Sequence, residues 1–248
     1  TDFMYKILDV NKDDYILDAT CGSGGFLVKA MANMIREVGG MQTDAAAEIK
    51  SSHLFGIEFD REIYALACAN MLIHKDGKTN LEQMDARTES ACEWMKSKPI
   101  TKVLMNPPYE NKYGCMTIVE NVLDNVPSHT QCAFILPDKK LEKASKAQMK
   151  RILKNHRLRK VIKLPEDLFF GVGITTSIFV FEAGVGQDDK EFFACYMESD
   201  GLATVKNKGR HDIYGKWAAI EAHWVEVVEK QSGDDTCQWV NPAEHLSY

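Results

Sequence analysis

Short apolar runs that close on an acid or an asparagine, each followed by a turn or a helical pattern, recur along the first half of this 248-residue chain. Tyr15-Ile16-Leu17-Asp18-Ala19-Thr20 leads into the glycine-rich Cys21-Gly22-Ser23-Gly24-Gly25, and residues 26–35 then repeat apolar positions at helical spacing. His53-Leu54-Phe55-Gly56-Ile57-Glu58 is followed by a helical pattern from Asp60, and a third run, Thr79 to Asp85, again ends in an acid. Val103-Leu104-Met105 opens onto Asn106-Pro107-Pro108-Tyr109. Alternating strands and helices fold as a mostly parallel sheet covered on both faces. The pattern predicts strands near 15–19, 53–58, 80–84, 101–105, 131–136, 158–163 and 174–182, and helices near 25–38, 60–74, 116–126 and 139–155. No helix separates the last two strands, so they are expected to pair as an antiparallel hairpin. The predicted class is α/β: a doubly wound, mostly parallel, seven-stranded Rossmann-like sheet with an antiparallel C-terminal hairpin.

In such sheets ligands bind beyond the C-terminal ends of the strands. Glycines let a backbone pass close to a ligand and leave N–H groups facing it at a helix N-terminus. The loop lacks the third glycine of a dinucleotide fingerprint and the Gly-Lys-Ser/Thr of a phosphate loop. A nucleoside carrying an amino-acid tail suits what remains, with Asp18 accepting from the tail or ordering water near it. A turn that only packs a helix on a sheet is the plainer reading. Glu58, at the second strand's end, is placed to bind both ribose hydroxyls. Phe59 would cover an adenine face and Asp85 would accept from its amine. Singly each acid reads as a helix cap or a solvated loop residue; acids at three successive strand ends favour the ligand.

Asn106-Pro107-Pro108-Tyr109 suits a planar amino group. The asparagine oxygen and a backbone carbonyl held by consecutive prolines can both accept from one exocyclic amine, and the tyrosine ring can stack on the heterocycle that bears it. The prolines fix φ and remove backbone donors, leaving a stiff, acceptor-rich turn. Taken alone the tetrapeptide is also an ordinary Asn-Pro turn.

Together, Asp18-Ala19-Thr20-Cys21-Gly22-Ser23-Gly24-Gly25-Phe26-Leu27 and Asn106-Pro107-Pro108-Tyr109 resemble the class γ amino-methyltransferases. More narrowly, the chain is similar to the modification subunit of type I restriction-modification systems and to related fused restriction–methylation enzymes. Phe134-Ile135-Leu136-Pro137-Asp138 resembles the family's fifth strand and turn, and Leu164 to Phe169 with Gly173 to Phe181 its last two strands. The resemblance implies S-adenosylmethionine as cofactor, held by Asp18, Thr20, Cys21, Gly22, Ser23, Gly24, Gly25, Phe26, Glu58, Phe59, Asp85, Ala86 and Asn106. It implies methyl transfer to the amino group of a flipped adenine in double-stranded DNA, with Asn106, Pro107, Pro108 and Tyr109 holding the base, and with no metal. A catalytic domain over 1–200 and a C-terminal extension over 201–248 packed on it are expected. The family usually carries a helical N-terminal domain and a Tyr/Phe-Thr-Pro motif ahead of the first strand. Thr1 stands shortly before Tyr15, so that segment is expected to be absent and the chain to be an excised catalytic core or a shortened homologue.

The net charge is −6. A self-sufficient DNA binder gains affinity by neutralising phosphates and tends to be basic, so sequence readout is expected from a specificity subunit or target-recognition domain. One basic stretch, Lys139 to Lys160, is either a solvated helix face or a phosphate contact beside the target pocket. Residues 109–116 are polar and glycine-containing and read either as a mobile loop over the target base or as a plainly solvated loop. Residues 217–230 read as a helix whose tryptophans pack in the core. The seven scattered cysteines show no metal-binding spacing and read as reduced thiols; Cys21 fills its loop. Reduced thiols of this kind fit a cytoplasmic protein; no apolar run approaches the ~18–20 residues that span a bilayer, and no charged-then-apolar leader opens the sequence. Methylation of a protein glutamine, whose amide offers the same two protons, or of an RNA base stays open, as does a docking role without catalysis.

Overall fold

The computed structural model describes residues 1–74, 80–169 and 173–248. The strands are β1 Ile16–Asp18, β2 Leu54–Glu58, β3 Asn80–Gln83, β4 Lys102–Met105, β5 Gln131–Pro137, β6 Arg157–Lys163, β7 Thr176–Glu182, β8 Phe192–Tyr196, β9 Ala203–Val205, β10 Gly209–His211 and β11 Cys237–Val240. The helices are α1 Asp2–Ile7, α2 Gly25–Glu37, α3 Asp44–Ser52, α4 Arg61–Ile73, α5 Glu89–Lys96, α6 Cys115–Asn125, α7 Lys140–Lys143, α8 Lys146–Asn155 and α9 Trp217–Lys230. Among the described residues one sheet runs β11-β8-β6-β7-β5-β4-β1-β2-β3, and β9 and β10 form a separate two-stranded ribbon.

Every expected strand forms, but the sheet has nine strands where seven are predicted. Strand β8 pairs parallel with β6, and β11 pairs antiparallel with β8 at the edge. The uninterrupted Phe192-Phe193-Ala194-Cys195 is buried on both faces, so it lacks the alternation that announces a half-exposed strand. The predicted hairpin is present: β7 lies antiparallel between β5 and β6. The expected third strand opens at Thr79, which lies outside the described residues. The helix expected over 139–155 is split into α7 and α8, because Ser145 leaves the helical path and accepts from the Gln148 amide as an N-cap. Helices α1, α3 and α5 were not predicted.

Consecutive strand residues point to opposite faces, and two cores follow from this. Ile16, Leu54, Leu104, Ala133 and Ile135 meet α1 to α4 and α9 on one side. Leu17, Phe55, Val103, Met105 and Phe134 meet α5, α6 and α8 on the other. The sheet is therefore doubly wound. Trp217 sets its ring edge-to-face on Phe3 at 6.3 Å, and Trp224 is buried, so the α9 tryptophans do pack in the core. Strand order reverses at β1, which pairs parallel with both β2 and β4. The glycine loop leaves β1 and the Asn-Pro-Pro-Tyr turn leaves β4, so the two motifs flank the switch point where such sheets bind ligands. No helix among the described residues is long and apolar enough to cross a membrane.

Candidate active site

The turn after β1 is built around glycine. Gly22 and Gly24 have φ of +55° and +86°, the left-handed region that costs other residues most. The Cys21 amide donates to the Ile57 carbonyl (2.9 Å) and the Gly24 amide to the Cys21 carbonyl (2.8 Å), closing the loop against β2. Asn70 of α4 donates to the Ser23 carbonyl from the other side (2.9 Å). Gly56 admits this packing, since a β-carbon there would lie 2.4 Å from Leu81 Cδ2 and 2.9 Å from Leu27 Cδ1. Helix α2 starts at Gly25 with no side-chain cap, so its first-turn N–H groups have no helical acceptor.

Three carboxylates lie at the strand ends. Asp18 is 1% exposed and accepts from the Thr20 amide through Oδ1 (3.1 Å). Burial pushes its carboxyl up to about 8, against the pull of the Thr20 amide and with a small push from Glu58. Glu58 accepts from the Gly22 amide through Oε2 and from the Asp60 amide through Oε1, both at 2.9 Å, which ties the second strand's end to the glycine loop. Asp60 itself caps α4, accepting from Glu62 and Ile63. Asp85 receives a two-pronged contact from Arg87, with Nε at 2.9 Å from Oδ1 and Nη2 at 2.6 Å from Oδ2. The Arg87 hydrogen bond holds the Asp85 carboxyl below its ordinary value.

Beyond Met105, the Tyr109 hydroxyl donates to Asn106 Oδ1 (2.7 Å), and Lys140 Nζ donates to the Tyr109 carbonyl (2.6 Å). Asn106 is exposed and Pro107 buried, so the acceptor side chain projects from a fixed turn. Residues 111–113, expected in a loop, form a 3-10 turn, and α6 begins at Cys115.

A cavity of about 650 Å³ joins these pieces. Its walls include Thr20, Glu58, Phe59, Asp85, Ala86 and the whole of Asn106-Pro107-Pro108-Tyr109. Asp18 and Cys21 to Phe26 are not among its lining residues; they form the buried strand end and the loop beside it. Phe59 is 60% exposed, an open aromatic face beside Glu58. Thr20 Oγ1 is buried with no hydrogen-bond partner among the described residues. A buried polar atom without a partner costs roughly 1–3 kcal/mol, so it marks a place for a polar ligand group. An adenosine fits these residues: an aromatic face, two carboxylates in the same cavity, and an orphan hydroxyl. Sequence reasoning missed Ile63, Met84, Arg87, Tyr113, Phe169 and Ile174, which also line the cavity. For Arg87 the signal was available, because it stands two residues after Asp85, the reach of an Asp side chain to its own turn.

The family described as N-6 DNA Methylase matches residues 1–140 and again 121–212. The chain belongs to this family. Among curated relatives, the type II restriction enzyme and methyltransferase RM.BcgI of Heyndrickxia coagulans is 29% identical over 262 positions, spanning 97% of this chain and 41% of that protein. The type I restriction enzyme EcoEI methylase subunit of Escherichia coli is 22% identical over 223 positions, 82% of this chain and 44% of that one. A solved type I restriction-modification methyltransferase subunit from Streptococcus thermophilus superposes with a TM-score of 0.72 at 19% identity, covering 98% of this chain and 54% of that chain. This N-6 DNA methylase domain thus spans about half or less of the length of these relatives. The likeness in structure shows a shared fold.

The basic stretch is divided by the fold. Arg151 pairs with Glu120, Arg159 with Glu182, and Lys160 is half-buried and donates to the Val228 carbonyl. Lys146, Lys150 and Lys154 follow one another at helical spacing along α8, which runs away from the strand ends that carry the cavity. Among the described residues, the α7 end of the stretch reaches the Asn-Pro-Pro-Tyr turn through Lys140.

Proposed function

We propose that this domain transfers a methyl group from S-adenosylmethionine to the exocyclic amino group of adenine in DNA, as the catalytic part of a restriction-modification enzyme. One observation carries the reading: a single cavity holds both the nucleoside-type acids and the amine-accepting turn. Glu58 keeps lone pairs free for the ribose hydroxyls while its two oxygens hold the Gly22 and Asp60 amides. Phe59 covers the base, Asp85 and the Ala86 backbone read its edge, Thr20 Oγ1 gains the partner it lacks, and Asp18 with the loop Cys21 to Phe26 supports the amino-acid end. When bound, S-adenosylmethionine supplies a methyl group on a positively charged sulfur, a ready electrophile.

The chain's own part is then to hold and align the acceptor, and positioning alone can lower a barrier by several kcal/mol. Asn106 Oδ1 and the Pro107 carbonyl accept hydrogen bonds from the two amine N–H groups and stabilise the positive charge growing on the nitrogen, whose surplus proton then leaves to water. For this the Tyr109 hydroxyl leaves Asn106, and the ring turns to stack on the base. The adenine reaches the turn by flipping out of the duplex, which costs a few kcal/mol that the stacking partly offsets. With a net charge of −6, the domain depends on a specificity subunit or target-recognition domain for most phosphate contacts.

The test is to incubate the domain, together with a specificity subunit, with methyl-labelled S-adenosylmethionine and duplex DNA, then digest to nucleosides. Label is expected in N6-methyladenine, and Asn106→Ala is expected to abolish it while cofactor binding stays near normal. Label in cytosine, in RNA or on a protein glutamine, or equal loss of binding and transfer in the variant, would count against the reading.

A further inference from the structure

Arg87 has no part in the scheme above, yet it joins the two halves of the cavity. Its Nε and Nη2 grip both oxygens of Asp85, while Nη1 donates to the Lys112 carbonyl (3.3 Å) in the 3-10 turn that follows Asn-Pro-Pro-Tyr. Its guanidinium lies 6.0 Å from the centre of the Phe59 ring, the ring assigned to cover the cofactor's base. The side-chain stem needs its own space as well: a β-carbon on Gly114, which sits at φ +65°, would come within 2.9 Å of Arg87 Cδ. The chain turns into α6 through a glycine that leaves room for this arginine.

Asp85 is therefore already occupied. Oδ1 accepts from the Arg87 amide and Nε, and Oδ2 from Nε and Nη2. A base amine arriving at the same carboxylate competes with the guanidinium fork for those lone pairs. It also competes for the space over Phe59. Displacing the fork withdraws Nη1 from Lys112, and the turn loses a charge-assisted hydrogen bond on its cofactor side. On the other side, Lys140 still holds the Tyr109 carbonyl, so the turn is loosened at one end only.

We propose that Arg87 is a positioning residue that clamps the target-binding turn until the cofactor's base takes Asp85, which makes cofactor binding precede entry of the target base. The inference rests on the nucleoside reading of the cavity. In the free protein the turn is held by Arg87 through the Lys112 carbonyl; with the nucleoside in place it is free to adjust to the adenine.

Hydrogen–deuterium exchange of the segment 109–114 tests it, because the Tyr113 and Gly114 amides donate within the turn, to the Glu110 and Asn111 carbonyls. S-adenosylhomocysteine is the probe, and its binding is followed by calorimetry on the same samples. In the wild type the probe is expected to speed exchange of this segment roughly threefold to tenfold, as one charge-assisted hydrogen bond is lost. Arg87→Ala is expected to exchange at the faster rate already when free and to bind the probe with no further change. Arg87→Lys, which keeps the stem and charge but not the fork, is expected to match it and stands in if the alanine variant does not fold. Wild-type exchange that stays constant or slows while the probe binds would overturn the inference alone, as would an Arg87→Ala response equal to the wild type. Failure of the wild type to bind the probe would overturn the reading of the cavity and the inference with it.

Discussion

Replacing Asp18 by Asn tests the electrostatics under the glycine loop. The carboxyl is 1% exposed and receives one amide, from Thr20, and burial raises it from its ordinary 3.8 to about 8. A carboxyl raised in the folded state binds its proton more tightly there than in the unfolded chain. Its contribution to stability is fully present below about pH 4 and is lost as pH rises towards 8. At about 1.4 kcal/mol per pH unit, the interval of about four units amounts to on the order of 5 kcal/mol. Asparagine keeps the oxygen that accepts from Thr20 and has no proton to lose. Urea unfolding of both proteins at pH 5 and pH 7.5 should show the wild type falling behind Asp18→Asn by about 3 kcal/mol over that range. The comparison cancels every other titrating group that the two proteins share. A difference that stays constant between the two pH values would refute the claim that Asp18 is held protonated by burial.

Two further substitutions separate folding from binding. Gly56→Ala places a methyl 2.4 Å from Leu81 Cδ2 and 3.2 Å from Cys21 Sγ, and overpacking of this kind should cost about 1–3 kcal/mol in chemical denaturation. Unchanged stability would mean that β2 and the loop have slack there. Thr20→Val removes the buried hydroxyl that lacks a partner, so stability should rise by about 1 kcal/mol while S-adenosylmethionine affinity falls roughly fivefold to tenfold. Parallel loss of both would assign Thr20 to folding and not to the ligand.

The parts of the fold that the sequence foretells are those with a local cause. Strands β1, β2 and β4 are apolar runs bounded by turn chemistry, and each motif follows one of them directly, so both motifs could be placed at the switch point. The helix at 217–230 announced itself by the spacing of Trp217, Ile220, Trp224, Val227 and Val228. Strand β8 did not, because a strand buried on both faces has no polar alternation, and β11 did not, because Gln238 and Trp239 are exposed and only pairing with β8 makes it a strand. Helices α3 and α5 are short and are fixed largely by Thr43 and Thr88, whose hydroxyls accept amides three residues on. Within the site, the acids and the Asn-Pro-Pro-Tyr turn were legible because their chemistry is carried in single residues. The occupation of Asp85 by Arg87 and of Asn106 by Tyr109 was not, since each depends on where a side chain comes to rest in three dimensions.

The most direct test of the claim that this cavity holds S-adenosylmethionine is a calorimetric titration of the cofactor into the wild-type domain and into Glu58→Ala. Glu58 anchors the glycine loop through the Gly22 amide and lines the cavity, so saturable binding in the wild type, in the micromolar range that corresponds to about 8 kcal/mol, should weaken at least tenfold in the variant. A wild type that takes up no cofactor, or a folded Glu58→Ala that binds as tightly as the wild type, would contradict the account.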